Sequence, residues 1–177
     1  MLCAVFTVGL IIDEERGDRT ALQKTMALEV AAVVERLDGE FHAMANLAKV
    51  FALQPGTARL LDELEPGRNA RSVLGRNDRQ SALMANADAR EESAYLQQVV
   101  ESTNYITALI IDRSGIGVAN SIWQGSQGLL GWDYNGRAYF HDAMEHGSGS
   151  QFAVGMATGI PSIFLAQFAL SRHGNFE

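Results

Sequence analysis

The chain has 177 residues and a formal net charge of −7, with 47% apolar and 20% charged residues. That apolar share supplies one core of ordinary domain size and excludes a disordered chain. The acidic balance and the lack of any Lys/Arg run exclude an electrostatic nucleic-acid surface, and the lone cysteine, Cys3, excludes an internal disulfide.

The first segment, Leu2 to Ile12 (LCAVFTVGLII), carries no charge. It is shorter than the ~20 residues that span a bilayer. It has neither a basic leading region nor a small-residue cleavage site. It reads either as the outer end of a transmembrane helix or as a short buried element of a soluble protein.

A charged stretch, DEERGDR, follows from Asp13. Then Leu22, Met26, Val30, Val33, Leu37, Phe41, Met44, Leu47 and Phe51 recur about every 3.6 residues, the period of a helix with one apolar face. Ala, Glu, Gln, Lys and Arg fill the gaps. Pro55-Gly56 ends the run. A helix from Asp13 to Leu53 would be roughly 60 Å long, more than one compact domain covers. It suits a stalk that packs partly on its own domain and partly on a twin helix, and it equally suits a long core helix.

Thr57 to Glu65 predicts a short helix, broken by Pro66-Gly67-Arg68-Asn69. Arg79 to Glu101 predicts another, with Leu83, Ala87, Tyr95 and Val99 as buried positions. Tyr105 to Asp112 and Gly117 to Ser121 predict an antiparallel hairpin around Asp112-Arg113-Ser114-Gly115. A short helix from Arg137 to His146 comes next. Strands at Gln151–Met156 and Ser162–Leu170 follow, around a Thr158-Gly159-Ile160-Pro161 turn. Helices first and an antiparallel sheet second make the fold class α+β.

No enzyme chemistry emerges from the motifs. His141 and His146 are five apart, off the helical spacing that pairs two metal ligands. No nucleophile elbow and no Cys/His pair is present, and Gly147-Ser148-Gly149-Ser150 leads into a strand, where a phosphate loop would lead into a helix. The expectation is no catalytic residue, no metal and no cofactor.

Three segments together resemble the extracytoplasmic Cache family, a PAS-like sensor fold, and specifically the membrane-distal half of a double-Cache domain. They are ALIIDRSGIGVANS (Ala108 to Ser121), GWDYNGRAYFHDAMEHG (Gly131 to Gly147) and QFAVGMATGIPSIFLAQFAL (Gln151 to Leu170). The middle one is similar to the family's G-x-x-Y-x-x-R-x-Y-F box. The resemblance implies a long N-terminal helix packed on a PAS-like antiparallel sheet. Residues 1–12 would be a transmembrane remnant or apolar leader, 13–54 a stalk helix, and 55–177 the sensor module. The family's sheet has a further strand, which here would begin near Glu177 after a turn at Ser171–Asn175, so the sheet is expected to be incomplete.

The resemblance also implies a function. Such a module sits on the periplasmic side of the inner membrane in a bacterial receptor, with a histidine kinase or diguanylate cyclase output elsewhere. It would bind a small anionic metabolite, a carboxylate or amino acid, and pair as a homodimer through the long helix. Arg137 offers a planar fork that matches a carboxylate. Tyr134 and Tyr139 add hydroxyls and apolar walls, and Ser121, Trp123 and Thr158 would lie on loops on the same side. An arginine on a short helix is otherwise an ordinary surface charge, and the tyrosines, Trp123 and Thr158 have equally plain packing roles. This chain departs from the family in having Ala138-Tyr139 beside the arginine and Ala166 where a serine is common. The alternative is a structural dimerisation stalk with a vestigial pocket.

Overall fold

A computed structural model describes residues 2–125, 128–156 and 159–169, with side chains from residue 22 onward. The chain forms two compact units, Met1–Met44 and Ala45–Glu177. Helix α1 runs from Leu2 to Ala52, eleven residues earlier than the periodic pattern predicts, because the apolar leader continues it without a break. The side chains of that leader lie outside the described residues, and so does the expected membrane remnant. No described helix is long and apolar enough to cross a membrane.

In the first unit, α1 carries its apolar row on the surface, with Leu22 61% and Val30 62% exposed. In the second, its last turn holds Lys49, placed where the helix dipole favours a cation. Pro55 forces Gln54 into an extended conformation and then serves as the first residue of α2 (Pro55–Leu64). The proline that ends one helix therefore begins the next, two residues before the predicted start.

A single 3-10 turn at Glu65–Gly67 leads into α3 (Arg68–Val73), where the sequence predicts only a break. Next come α4 (Arg76–Ala85) and α5 (Ala87–Glu101). These replace the single helix expected from Arg79 to Glu101. The interruption is Asn86, whose extended backbone and side-chain oxygen, accepting the Ala89 amide at 2.8 Å, make it an N-cap. The restart resets the buried face of α5 to Ala89, Glu92, Ser93 and Leu96, leaving Ala87 exposed and Tyr95 and Val99 half-buried.

The first hairpin pairs β1 (Leu109–Ile111) with β2 (Gly117–Asn120), antiparallel, with an irregularity between Ile110 and Ile111. β1 is shorter than the predicted Tyr105–Asp112. Just before it, the Ser121 amide donates to the Ala108 carbonyl at 2.9 Å, while the Ala108 amide turns to Ser121 Oγ at 3.0 Å. Residues 131–134 lie along the other edge of β2, the Gly117 amide donating to Trp132 O and the Tyr134 amide to Gly115 O. Helix α6 (Ala138–His146) ends at Gly147, whose φ of +83° suits glycine. β3 (Ser148–Val154) and β4 (Pro161–Gln167) form the second hairpin, antiparallel and in regular register. Both strands begin earlier than predicted. The turn expected at Ser171–Asn175 and the further strand lie outside the described residues.

Two apolar clusters flank the β1–β2 hairpin. On one side Leu60, Leu83 and Leu96 of α2, α4 and α5 meet Ile110 and Val118. Phe51, at the end of α1, joins this side through an edge-to-face contact with Tyr95 (6.1 Å). On the other side Leu109 and Ile111 face Tyr134, Tyr139 and Phe140, with Trp132, Phe164 and Ala166 packed around them. The alternation of β1 separates the helical core from this aromatic one.

Candidate ligand-binding site

The aromatic side of the hairpin is where three of the predicted site residues meet. Tyr134 is on the extended segment that borders β2. Its ring covers Gly117, where an added Cβ would come within 2.9 Å of the ring. A glycine is therefore needed for the ring to lie flat on the strand. Tyr139, on the first turn of α6, stacks on Phe164 of β4 at 5.3 Å between centroids. Both tyrosines are buried. Burial pushes the Tyr134 phenol up to about 12, against smaller opposing effects of Arg137 and Arg76. It raises Tyr139 as well, with Tyr134 adding to the shift and Arg137 opposing it. Arg137 therefore lies within electrostatic reach of both hydroxyls.

Arg137 is the N-cap of α6, in extended conformation. Its Nη2 donates to the carbonyl of Val154 at the end of β3 (3.1 Å). That bond uses one of the five donors a guanidinium carries. The first turn of α6 is tied down nearby, Ala138 N donating to Gln151 Oε1 at 3.1 Å and His141 Nε2 lying 2.6 Å from Asn135 O. The α6–β3 contact is close. A Cβ on Gly149 would collide with the Tyr139 carbonyl and come within 2.8 Å of the Asp142 Cβ. An arginine, the positive end of a helix and two phenols make a setting that favours an anion.

The other predicted residues lie elsewhere. Ser121 is buried, and its hydroxyl serves Ala108 N and contacts Thr107 Oγ1 at 3.3 Å. Trp123 packs with the helical core, its indole donating to Gln97 Oε1 at 3.0 Å. Thr158 lies outside the described residues.

The sequence reading overlooked three arginines between residues 71 and 79. Arg71 binds Asp112 and Leu64 O. Arg79 is buried and donates to Gly131 O at 2.8 Å. Arg76 donates to Gly128 O at 2.9 Å and lies over the Trp132 ring, 4.5 Å from its centre. The signal was their density (RNARSVLGRNDR, residues 68–79) in an otherwise acidic chain. A separate cleft of about 450 Å³ is lined by Ala48, Lys49, Asp142, His146, Ser148 and Leu165 among others. It includes neither Arg137 nor the tyrosines. Its Lys49 and His146 side chains are exposed.

No family model matches the chain. Over 72 residues, 41% of its length, it is 33% identical to the C4-dicarboxylate transport sensor protein DctB of Rhizobium meliloti (strain 1021). Its structure is similar to that of the V. cholerae histidine kinase DctB sensor domain, with a TM-score of 0.53 at 19% identity, over 84% of this chain and 57% of that one. The fold is that of the DctB sensor domain. The Cache-type resemblance carried by the three sequence segments agrees with this likeness. The chain spans 12% of the DctB sensor protein and 57% of the solved DctB chain.

Proposed function

We propose that this chain is the extracytoplasmic ligand-sensing module of a membrane-bound bacterial receptor of histidine kinase type, and that it holds a small carboxylate at Arg137 between Tyr134 and Tyr139. The observation that carries this reading is that Arg137, whose amide donates to the Tyr134 carbonyl at 2.9 Å, stands in the chain between two buried tyrosines on one side of the β1–β2 hairpin. The likeness to sensor proteins and to a sensor-domain fold supports it. A guanidinium binds carboxylate through a pair of parallel N–H donors, and a buried phenol adds a donor that stays protonated at neutral pH. The C4-dicarboxylate in the name of the R. meliloti relative makes short dicarboxylates the first class to try. Ser121 and Trp123, whose polar atoms serve partners elsewhere in the protein, stay outside the proposed site.

The exposed row Leu22, Met26, Val30, Val33 and Leu37 supports pairing of α1 with a second copy. The uncharged Leu2–Ile12 segment supports a membrane anchor at the helix start.

A thermal-shift panel of small mono- and dicarboxylates and amino acids, on the full chain and on Arg137→Ala, tests the sensor reading. A ligand that binds only the folded state raises the melting temperature as its concentration passes the dissociation constant. The expected result is a shift with one ligand class, absent in Arg137→Ala. A folded chain that shifts with none favours the dimerisation stalk with a vestigial pocket.

A further inference from the structure

Glu92 lies at the joint between α1 and α2 with no group that answers its charge. It is buried, and its carboxyl fits so closely against Gly56 that a Cβ there would collide with Oε1. Three buried oxygens of this joint have no hydrogen-bond partner among the described residues: Glu92 Oε2, Thr57 Oγ1 and Gln54 Oε1. Thr57 follows Gly56 in the chain, and Gln54, the N-cap of α2, precedes it by two positions. Between them the three oxygens carry one donor, the Thr57 hydroxyl, and a proton on Glu92 supplies a second. A buried carboxylate without a partner is costly, whereas a neutral carboxyl donates one bond and carries no charge. The charged groups acting on Glu92 are Arg59 from α2 and Glu91 and Asp88 from its own helix. Arg59 is engaged by Asp88 at 3.5 Å and by Glu91 at 3.3 Å, and Glu63 of α2 is bonded to Asn86 at 2.8 Å. Arg76 and Arg79 of α4, which also packs on α5, donate to the Gly128 and Gly131 carbonyls. From α1 and β2, α5 is met by the uncharged Phe51 and Asn120.

The same helix holds the joint at a second point. Tyr95, three positions after Glu92 and so on the same side of α5, meets Phe51 of α1 edge to face at 6.1 Å. Only the four residues from Ala52 to Pro55 separate Phe51 from Gly56, and the Gln54 amide donates back to the Phe51 carbonyl at 3.2 Å. We propose that Glu92 is a proton-binding group that sets how α5 seats the α1–α2 joint: protonated, it lets α5 close on Gly56 and Phe51 together, and ionised, it draws water to the joint and loosens the Phe51–Tyr95 contact. Acidity then becomes an input of its own, read by residues separate from Arg137 and its tyrosines. The inference stands whether or not that site takes a carboxylate. Burial favours the neutral acid, opposed by Arg59 and reinforced by Glu91 and Asp88, and holds the proton above the ordinary 4.5. The joint is therefore tight below that raised value and loosens as pH rises through it.

The test is NMR of the full chain, labelled at the glutamate carboxyl carbons and in the tyrosine rings, from about pH 8 down to about pH 4. Tyr95→Phe assigns the Tyr95 ring, and through-bond correlation to the backbone assigns the Glu92 carboxyl. That carboxyl is expected to titrate with a midpoint above 4.5, and the Tyr95 ring signal to move in a single step at the same midpoint. In Glu92→Gln, which is neutral throughout, the ring signal should keep its acid position across the range. A Tyr95 signal that is flat in the wild type overturns the proposal, because the contact then ignores the proton. A step that persists in Glu92→Gln overturns it too and moves the effect to Glu63, Asp88 or Glu91. A Glu92 midpoint at or below 4.5 does the same. Far-UV circular dichroism at each pH establishes that the chain is folded. If Glu92→Gln does not fold, the agreement or disagreement of the two midpoints in the wild type decides.

Discussion

The guanidinium of Arg71 meets the carboxylate of Asp112 at 2.9 Å, with both side chains almost out of water. The pair ties α3 to the turn of the β1–β2 hairpin. Asp112 Oδ2 takes two bonds from Arg71. Its Oδ1 takes the Ser114 amide and hydroxyl and the Ile116 amide. Breaking a buried pair by removing one partner leaves an uncompensated charge, at a cost of about 3–5 kcal/mol. Asp112→Ala is therefore expected to lower the urea stability of the chain by that order, and Arg71→Ala by a similar amount. A loss below about 1 kcal/mol, the range of exposed pairs, would contradict the assignment.

Glu92 is a carboxylate in an unfavourable place. It is 4% exposed, one of its oxygens has no partner, and its carboxyl lies against Gly56 at the start of α2. Burial raises its pKa above the ordinary 4.5, against the nearby Arg59 and with Glu91 and Asp88 adding to the rise. The folded state then holds the proton more tightly than the unfolded one. Its contribution to stability is fully present below the unfolded value and is lost as pH rises through the folded value. Glu92→Gln should melt above the wild type at pH 7, and the gap should shrink on acidification toward pH 4. Parallel melting curves across that range would refute it.

Tyr134 offers a second titration of the same sign. Its phenol is pushed up to about 12 by burial, so the folded chain resists its ionisation and loses that contribution as pH rises from 10 toward 12. Ultraviolet titration should show late phenolate components from both Tyr134 and Tyr139, of which Tyr134→Phe loses one and keeps the other. Identical late components in both proteins would place the buried phenol elsewhere.

Gly117→Ala reaches the site without touching its polar groups. The new Cβ would come within 2.9 Å of the Tyr134 ring, and Gly117 has no positive φ that would add backbone strain. The ring must shift, which should weaken carboxylate binding by about tenfold or more. The stability cost should be the ~1–3 kcal/mol typical of overpacking. Unchanged affinity in the folded variant would separate Tyr134 from the ligand.

Much of this was legible beforehand because it rests on local chemistry. The period of α1, the Asp112–Gly115 turn and the glycine closing α6 each have a sequence signature. Asn86 did not declare itself, because Asn-Ala-Asp inside an alanine-rich run has the composition of a continuing helix. The strand Leu109–Ile111 was overestimated, because at Ala108 and Thr107 the ladder gives way to the Ser121 hydroxyl, which takes the Ala108 amide and contacts the Thr107 hydroxyl. At the site, Arg137, Tyr134 and Tyr139 stood out through one short motif. Arg71, Arg76 and Arg79 did not, because their partners are a carboxylate, an indole and two carbonyls more than thirty positions away in the chain. Nothing in local spacing encodes such contacts.

The central claim is that Arg137 takes a ligand carboxylate. NMR of isotope-labelled arginine side chains, during titration of the full chain with succinate, tests it most directly. The Arg137 guanidinium signal should move saturably while those of Arg71 and Arg79, committed to acceptors within the protein, hold still. An Arg137 signal that stays fixed at saturating succinate, in a chain shown to be folded, would contradict the account.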